Sequence, residues 1–426
     1  MKASRTLLGV AVASTPVLVN AVELEEYLIA NSSYDQAFVS GSLVAMEPAG
    51  DDPNDQFNYN YTVDADYQKV FSTLPRSWSY TLGLNAVGSR PSTETQLIDD
   101  PDFVPDPADP DGPVDQIEVD TESTSDWSVT AEGVVDTYFH QTRYPKALWF
   151  GQGFYQSQES LPDDDISATV GLGYGRVYNA TPLAKVIRIV EELNEEGLLT
   201  GPIPDSVALE TAEIIDREDE FKSRFGEDEY RPDYYAAIEA ALARSGALRD
   251  GKFGALGALT VDTVLEDEPI STRRHGWIVR LGAGFQSSDL SGLTDNDPKL
   301  FAQFEYAKPF GYKGQFINLF TFEPVFSDET LTSFRNDMSY THEVTDMIDW
   351  INTWTMTYAD GENEDGTSRE VTTHVINSIY SFDLGNKLDY TVGLQLNQTD
   401  EDPNEPGSFG DSPEVTFRAG FNYRLK

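Results

Sequence analysis

Residues 414–426 read Glu-Val-Thr-Phe-Arg-Ala-Gly-Phe-Asn-Tyr-Arg-Leu-Lys, and this stretch decides the fold class. Taken two at a time it sorts completely. Val415, Phe417, Ala419, Phe421, Tyr423 and Leu425 fall on one face, and Glu414, Thr416, Arg418, Gly420, Asn422 and Arg424 on the other. Successive side chains of a β-strand point to opposite faces, so period-two sorting of apolar from polar residues predicts a strand with two different surroundings. Working outward, the same period returns. Phe57, Tyr59, Tyr61, Val63 and Ala65 alternate with Asn58, Asn60, Thr62 and Asp64. Ile166, Ala168, Val170, Leu172 and Tyr174 alternate with Ser167, Thr169, Gly171 and Gly173. Trp277, Val279, Leu281 and Phe285 face away from Arg280, Gly282 and Gln286, and Leu388, Tyr390, Val392, Leu394 and Leu396 face away from Asp389, Thr391, Gly393 and Gln395.

These segments are long enough for a tilted membrane crossing, which takes roughly 9–11 residues. Trp78, Trp127, Trp149, Tyr174, Trp277 and Tyr423 sit near segment ends, where amphipathic rings favour the headgroup level. In lipid every backbone amide must be paired within the protein, so such strands have to close into a barrel. Connection lengths alternate too. Short links near 73–76, 143–146, 311–313, 345–349 and 385–387 lie between long acidic ones at 47–56, 90–126, 159–165, 287–297, 360–369 and 399–413. The 90–126 link is rich in Asp and Pro, and its composition predicts mobility. Six segments before residue 180 and about eight after 275 give an antiparallel all-β transmembrane barrel of about 14 strands. Alternation over 300–360 is less clean, so the reading allows 12 to 16.

Between 181 and 265 the period becomes helical. Leu183, Val186, Ile187, Val190 and Leu193 form one run, Val207, Ala208, Ala212, Ile214 and Ile215 a second, and the Ala-rich stretch 234–248 a third. A fourth helical turn is expected over 255–265. Asp205-Ser206 and Asp233 are the expected N-caps. The domain reading is therefore 1–21 export signal, 22–180 first barrel segment, 181–265 helical insertion and 266–426 second barrel segment. By strand parity the insertion is expected on the periplasmic side or folded back into the lumen.

The export signal rests on Lys2 and Arg5, the apolar run 7–19 and the small residues Val19-Asn20-Ala21, with cleavage expected after Ala21. The chain has 426 residues, no cysteine, and 73 acidic against 29 basic residues, a formal charge of −44. The absence of cysteine removes disulfides, thiolate metal sites and a Cys nucleophile. The acidic excess excludes nucleic acid as a partner, since that binding depends on Lys and Arg neutralising phosphates. Its spread over many segments reads as a solvated, salt-tolerant surface.

Taken together, the export signal, the dyad strands, the alternating link lengths and the aromatic last strand resemble Gram-negative outer-membrane β-barrels. The last strand is similar to the signal such proteins present to the barrel-assembly machinery, carried here by Phe417, Phe421 and Tyr423. It departs from that pattern by ending in Arg424-Leu425-Lys426. The resemblance implies an outer-membrane location, contact with lipid and lipopolysaccharide, and insertion by that machinery.

Four histidines, His140, His275, His342 and His374, form no HExxH and no ligand pair, and no Walker or dinucleotide motif is present. His140 shares a strand face with Asp136, a pairing common by chance. No enzymatic activity, cofactor or metal site is expected. The glycines at 171, 173 and 175 read as room inside a barrel rather than a phosphate loop. Glu132, Asp136, Arg280, Arg418 and Arg424 are the lumen-facing candidates, able either to tune ion selectivity or to pair and fill the interior. The functional expectation is a passive channel for small solutes or ions. The alternative is a structural, assembly or export barrel whose segment 181–252 docks a periplasmic protein or peptidoglycan.

Overall fold

A computed structural model describes residues 22–46, 58–90, 96–99, 116–119, 124–159, 164–227, 229–268, 270–287, 297–326, 331–362, 368–385, 387–402 and 413–425. The expected signal 1–21 and the greater part of the long acidic links lie outside these residues. The chain divides into two compact units, Leu28–Ala180 with Asp267–Lys426, and Met1–Tyr27 with Thr181–Glu266.

The first unit is a closed antiparallel barrel of 14 strands, so the expected strand number holds. Six strands precede the helices: β1 (Ser32–Met46), β2 (Asn58–Ser72), β3 (Arg76–Arg90), β6 (Thr124–Tyr138), β7 (Ala147–Gln158) and β8 (Asp165–Asn179). Eight follow: β9 (Arg274–Ser287), β10 (Asp297–Phe310), β11 (Gly314–Val325), β12 (Leu331–Thr345), β13 (Ile348–Glu362), β14 (Ser368–Asp383), β15 (Leu388–Asp402) and β16 (Glu414–Arg424). Within the 90–126 link, β4 (Gln96–Asp99) and β5 (Gln116–Val119) pair as a separate two-stranded sheet. Each barrel strand pairs with its sequence neighbour, β3 with β6, and β16 closes on β1. The closing seam runs only from Phe38↔Arg424 to Ser42↔Gly420, whereas β1 pairs with β2 from Ser32↔Ser72 to Met46↔Asn58.

The outer face explains the alternation. Val170, Leu172, Leu281, Val415 and Phe417 point outward and are at least 60% exposed. A belt of exposed aliphatic and aromatic groups around a closed sheet has the chemistry of a lipid-facing surface, since in water its burial would be worth about 25 cal/mol per Å². At the end carrying the short turns, outward aromatics touch one another from strand to strand: Phe71–Trp78 at 5.6 Å, Tyr174–Trp277 at 6.0 Å, Tyr340–Trp350 and Trp350–Tyr380 each at 6.3 Å. This is the arrangement of an interfacial girdle. Polar side chains on the outer face bond each other. Asn318 Nδ2 donates to Asn336 Oδ1 at 2.8 Å, and Trp354 Nε1 to His374 Nδ1 at 3.3 Å. Those outward polar groups are one reason the 300–360 alternation looks irregular.

The other reason lies inside. Tyr138, Leu148, Phe150, Ile278 and Phe301 form a buried apolar cluster on the inner faces of β6, β7, β9 and β10, with Val177 of β8 packed against it. Phe150 and Phe301 stand 5.6 Å apart, ring to ring. Glycines make the room. A Cβ at Gly171 would lie 2.2 Å from the Leu281 carbonyl oxygen and 2.7 Å from the Phe150 ring, and one at Gly282 would lie 2.6 Å from the Val170 oxygen and 2.9 Å from that ring. These two residues pair directly across β8 and β9, leaving a shallow floor on which Phe150 rests.

The second unit holds α1 (Thr181–Glu195), α2 (Asp205–Asp216), α3 (Glu218–Phe225), α4 (Arg231–Ala243) and α5 (Gly254–Asp262). Leu183, Val186, Val190, Ala208, Ala212, Ile238 and Leu242 are buried, repeating at the three-and-four spacing read from the sequence. Three details differ from expectation. Pro204 and Tyr230 occupy the N-cap positions of α2 and α4, so Asp205 and Asp233 lie inside the first turns, where a carboxylate complements the helix dipole. Helix α3 has no fully buried residue, and its apolar face is a single pair, Phe221 and Phe225, too short to show a period. Its acids at Glu218–Glu220 and bases at Lys222 and Arg224 suit its two ends instead. Residues 22–27, assigned from sequence to the first barrel segment, belong to this unit. Tyr27 is buried, and its hydroxyl donates to Asp216 Oδ2 at 3.4 Å.

Candidate functional site

The barrel interior is the candidate site, and strand parity places its side chains. On β6 the inward set is Glu132, Val134, Asp136 and Tyr138, on β9 Ile278 and Arg280, on β10 Lys299, Phe301, Gln303 and Glu305, and on β11 Ile317, Leu319, Thr321 and Glu323. These strands enclose two cavities. One, of about 380 Å³, is lined by Tyr34, Gln68, Asp136, Arg274, Arg280 and Glu305 among others. The second, of about 590 Å³, is lined by Asp165, Lys299, Glu323, Arg335, Asp337 and Tyr358 among others. Glu132, Gln303 and Leu319 border both cavities and so mark their junction.

The cations of these cavities are neutralised by carboxylates on neighbouring inner faces. Arg280 forms a bidentate pair with Asp136, 3.0 Å from Nε to Oδ1 and 2.6 Å from Nη2 to Oδ2, and its Nη1 donates to Gln303 Oε1 at 2.7 Å. Arg274 meets Glu305 at 2.6 Å, Lys299 meets Glu323 at 3.1 Å and Arg335 meets Asp337 at 2.6 Å. A bidentate Arg–carboxylate fork with both partners buried is held more firmly than an exposed pair, because the charges are desolvated and removing one strands the other. Because Arg280 engages both oxygens of Asp136, that carboxylate is not positioned by His140, whose Nδ1 lies 3.5 Å from the Tyr138 carbonyl oxygen. Among the described residues no group of three His, Cys, Asp or Glu side chains could hold a metal ion.

The interior narrows at the short-turn end. Asn179 Nδ2 donates to Ser32 Oγ at 2.9 Å, and Gln36 Nε2 to Thr272 Oγ1 at 3.2 Å. β1 and β8 are five strands apart around the wall, so the first bond crosses the interior rather than following the sheet. Arg176 Nη2 reaches Ser72 Oγ at 2.7 Å and the Thr73 oxygen at 2.5 Å, with its guanidinium 4.4 Å above the Tyr138 ring. The segment before β9 extends the crossing. Ser271 Oγ donates to Asp349 Oδ2 at 2.8 Å, and Arg273 Nε to the Tyr312 oxygen at 2.7 Å, with Glu343 at 3.6 Å. Burial pushes the Arg273 pKa down, while Glu343 and Asp349 oppose that shift.

Of the five lumen candidates, three meet. Glu132 and Asp136 line the first cavity beside Arg280. Arg418 and Arg424 lie on the inward face of β16, opposite in parity to the exposed Phe417, Phe421 and Tyr423, and line neither cavity. Sequence reasoning missed Arg274, Lys299, Gln303, Glu305, Glu323, Arg335 and Asp337. The available signal was Leu300 and Phe304 on one parity of β10, which puts Lys299, Gln303 and Glu305 on the other. Phe301 between them obscured it.

No family model matches the chain, and no curated protein matches it. Among solved structures it aligns with an outer membrane channel from Pseudomonas putida F1, at 10% identity and a TM-score of 0.33, covering 95% of this chain and 98% of that one. It aligns also with the deltaS2 mutant of the TodX monoaromatic hydrocarbon channel, at 8% identity and a TM-score of 0.29, covering 93% and 90%. A third is LpxR from Salmonella typhimurium, at 6% identity and a TM-score of 0.27, covering 92% and 99%.

Proposed function

We propose that this protein is an outer-membrane barrel that passes small solutes or ions passively through its interior. The observation carrying this reading is the pair of adjoining cavities, both lined by charged groups, inside a closed sheet whose outer face is apolar. Closed strands with lipid outside and charged, hydrogen-bonding groups inside are the physical requirements for a water-filled path across a bilayer. The wall is wide enough in strand number for either an open or a side-chain-filled lumen. Here the packed cluster on β6–β10 and the bonds crossing the short-turn end leave a narrow path, so the expected conductance is small. The exposed aromatics of β16, Phe417, Phe421 and Tyr423, serve in this reading as the insertion signal and as lipid contacts. Recording the full chain in a planar bilayer tests the proposal. Steady unitary currents support it, and silence from protein shown to be refolded as a barrel overturns it.

A further inference from the structure

We propose that Glu132 is the residue that selects the permeant, and that it selects small cations, including solutes bearing an ammonium group. This rests on the channel reading above. Two independent observations meet at this side chain. The first is position. Among the described residues only Glu132, Gln303 and Leu319 border both cavities, and Glu132 is the one charged group of the three. A solute moving from one cavity to the other passes its carboxylate.

The second is compensation. Arg274, Arg280, Lys299 and Arg335 line the cavities, and each has a carboxylate within 3.1 Å: Glu305, Asp136, Glu323 and Asp337 respectively. Those four pairs cancel at close range. Among the described residues lining the cavities, Glu132 and Asp165 are the carboxylates with no cation within the distance of an ion pair. Glu132 Oε1 accepts from Gln152 Nε2 at 3.1 Å, a neutral donor that orients the carboxylate without cancelling its charge. Asp165 accepts from Gln286 at 3.5 Å in the larger cavity, away from the junction. The residual field of the lining is therefore negative, and it is centred where the path changes cavities. Fixed charge at a constriction lowers the energy of an opposite ion there and raises that of a like ion. Asp136 drops out of this role because its charge is spent on Arg280.

The test is the reversal potential of the full chain in a planar bilayer under a potassium chloride gradient, for the unaltered protein and for Glu132→Gln, Glu132→Lys and Asp165→Asn. The unaltered protein is expected to prefer potassium over chloride. Glu132→Gln should lower that preference about thirtyfold, since a unit charge about 4 Å away in a water-like dielectric supplies a factor of about five for potassium and the inverse factor for chloride. Glu132→Lys should reverse the preference, and Asp165→Asn should change it less than Glu132→Gln. Each variant is first checked for the barrel's resistance to unfolding in cold detergent, and the Lys variant serves should the Gln variant fail to fold. Currents with the same reversal potential in the unaltered protein and both Glu132 variants overturn the selectivity assignment while leaving the channel standing. Anion preference in the unaltered protein overturns it too. Absence of current from folded unaltered protein removes the channel reading, and this assignment with it.

Discussion

The two sides of the barrel are built on different principles. On β6–β10 the inner face holds a packed apolar cluster among its charged groups: Leu148 and Phe150 are fully buried, and Ile278 and Phe301 nearly so. On β12–β15 the inner face is half-buried and held by short polar contacts. Asn377 Nδ2 donates to Thr353 Oγ1 at 3.1 Å, Thr373 and Thr399 hydroxyls meet at 3.3 Å, and Thr355 Oγ1 donates to Asp337 Oδ1 at 2.8 Å. A barrel lumen is thus not uniformly polar. One sector carries a small hydrophobic core beside the charged groups that line the cavities, and the other carries hydrogen-bonded polar side chains. Burying apolar groups inside a barrel costs lumen width, so confining them to one cluster leaves room beside it for the cavities.

The most severe way to break this division is to deny Phe150 its floor. Gly171→Val would put a Cβ within 2.2 Å of the Leu281 carbonyl oxygen, backbone that cannot move without parting β8 from β9. Refolding into detergent should fail or give a barrel that no longer resists cold detergent, assayed by mobility with and without heating. A variant that refolds in normal yield would show that the close approach is not required. Next comes the core itself. Phe150→Ala should destabilise the barrel by about 3–5 kcal/mol in a urea titration, the usual cost of deleting a buried aromatic ring. Thr353→Ala on the polar wall should cost no more than about 0.5 kcal/mol. Equal losses at both positions would erase the distinction between the walls.

A third change sharpens the comparison through conductance. The bonds Asn179–Ser32 and Gln36–Thr272 join the ends of β8 and β9 to β1 across the interior. The double variant Gln36→Ala with Asn179→Ala removes both donors without touching the core. Unitary conductance should rise about twofold if these bonds narrow the exit, since each contributes only about 1 kcal/mol and the wall remains intact. Unchanged conductance would place the limiting constriction elsewhere, at the junction beside Glu132.

How far the sequence could be read follows the same division. β16, β15 and β2 alternate cleanly because their inner faces are polar and their outer faces apolar, so period two survives in the residues themselves. β7 and β10 do not, because Leu148 and Phe150 flank the outward Trp149, and Phe301 lies between the outward Leu300 and Ala302. An apolar inner face removes the contrast on which the reading depends. The strand number was still legible, since link lengths and turn residues punctuate the chain independently of which face is polar. The helices were legible where they bury a stripe. α3 was not, because one i,i+4 pair, Phe221 and Phe225, is too short to establish a period. Individual lumen charges could be named, but not their partners: Asp136 and Arg280 are 144 residues apart, and only closure of the sheet brings them together.

The smallest expected effect concerns acid, and it falls on the helical unit rather than on either wall. Burial alone would raise the pKa of Glu218, but bonds from Lys222 and Tyr230 together outweigh it and hold the carboxyl below its ordinary value. The Lys222 ammonium lies 2.8 Å from Glu218 Oε1, and the Tyr230 hydroxyl 2.6 Å. A carboxyl depressed in the folded state favours folding while it is charged. Its contribution is therefore complete above the unfolded value of about 4.3 and is lost as pH falls through the lower folded value. Helical circular dichroism of the full chain in moderate urea should hold steady at neutral pH and decline in that acidic window. Glu218→Gln keeps an acceptor for Tyr230 but not the charge facing Lys222. It should begin slightly weaker and fall less steeply, because the proton it would have taken up is no longer linked to unfolding. Parallel curves for the two proteins would assign the acid sensitivity to other carboxylates and leave Glu218 as a simple hydrogen-bond acceptor.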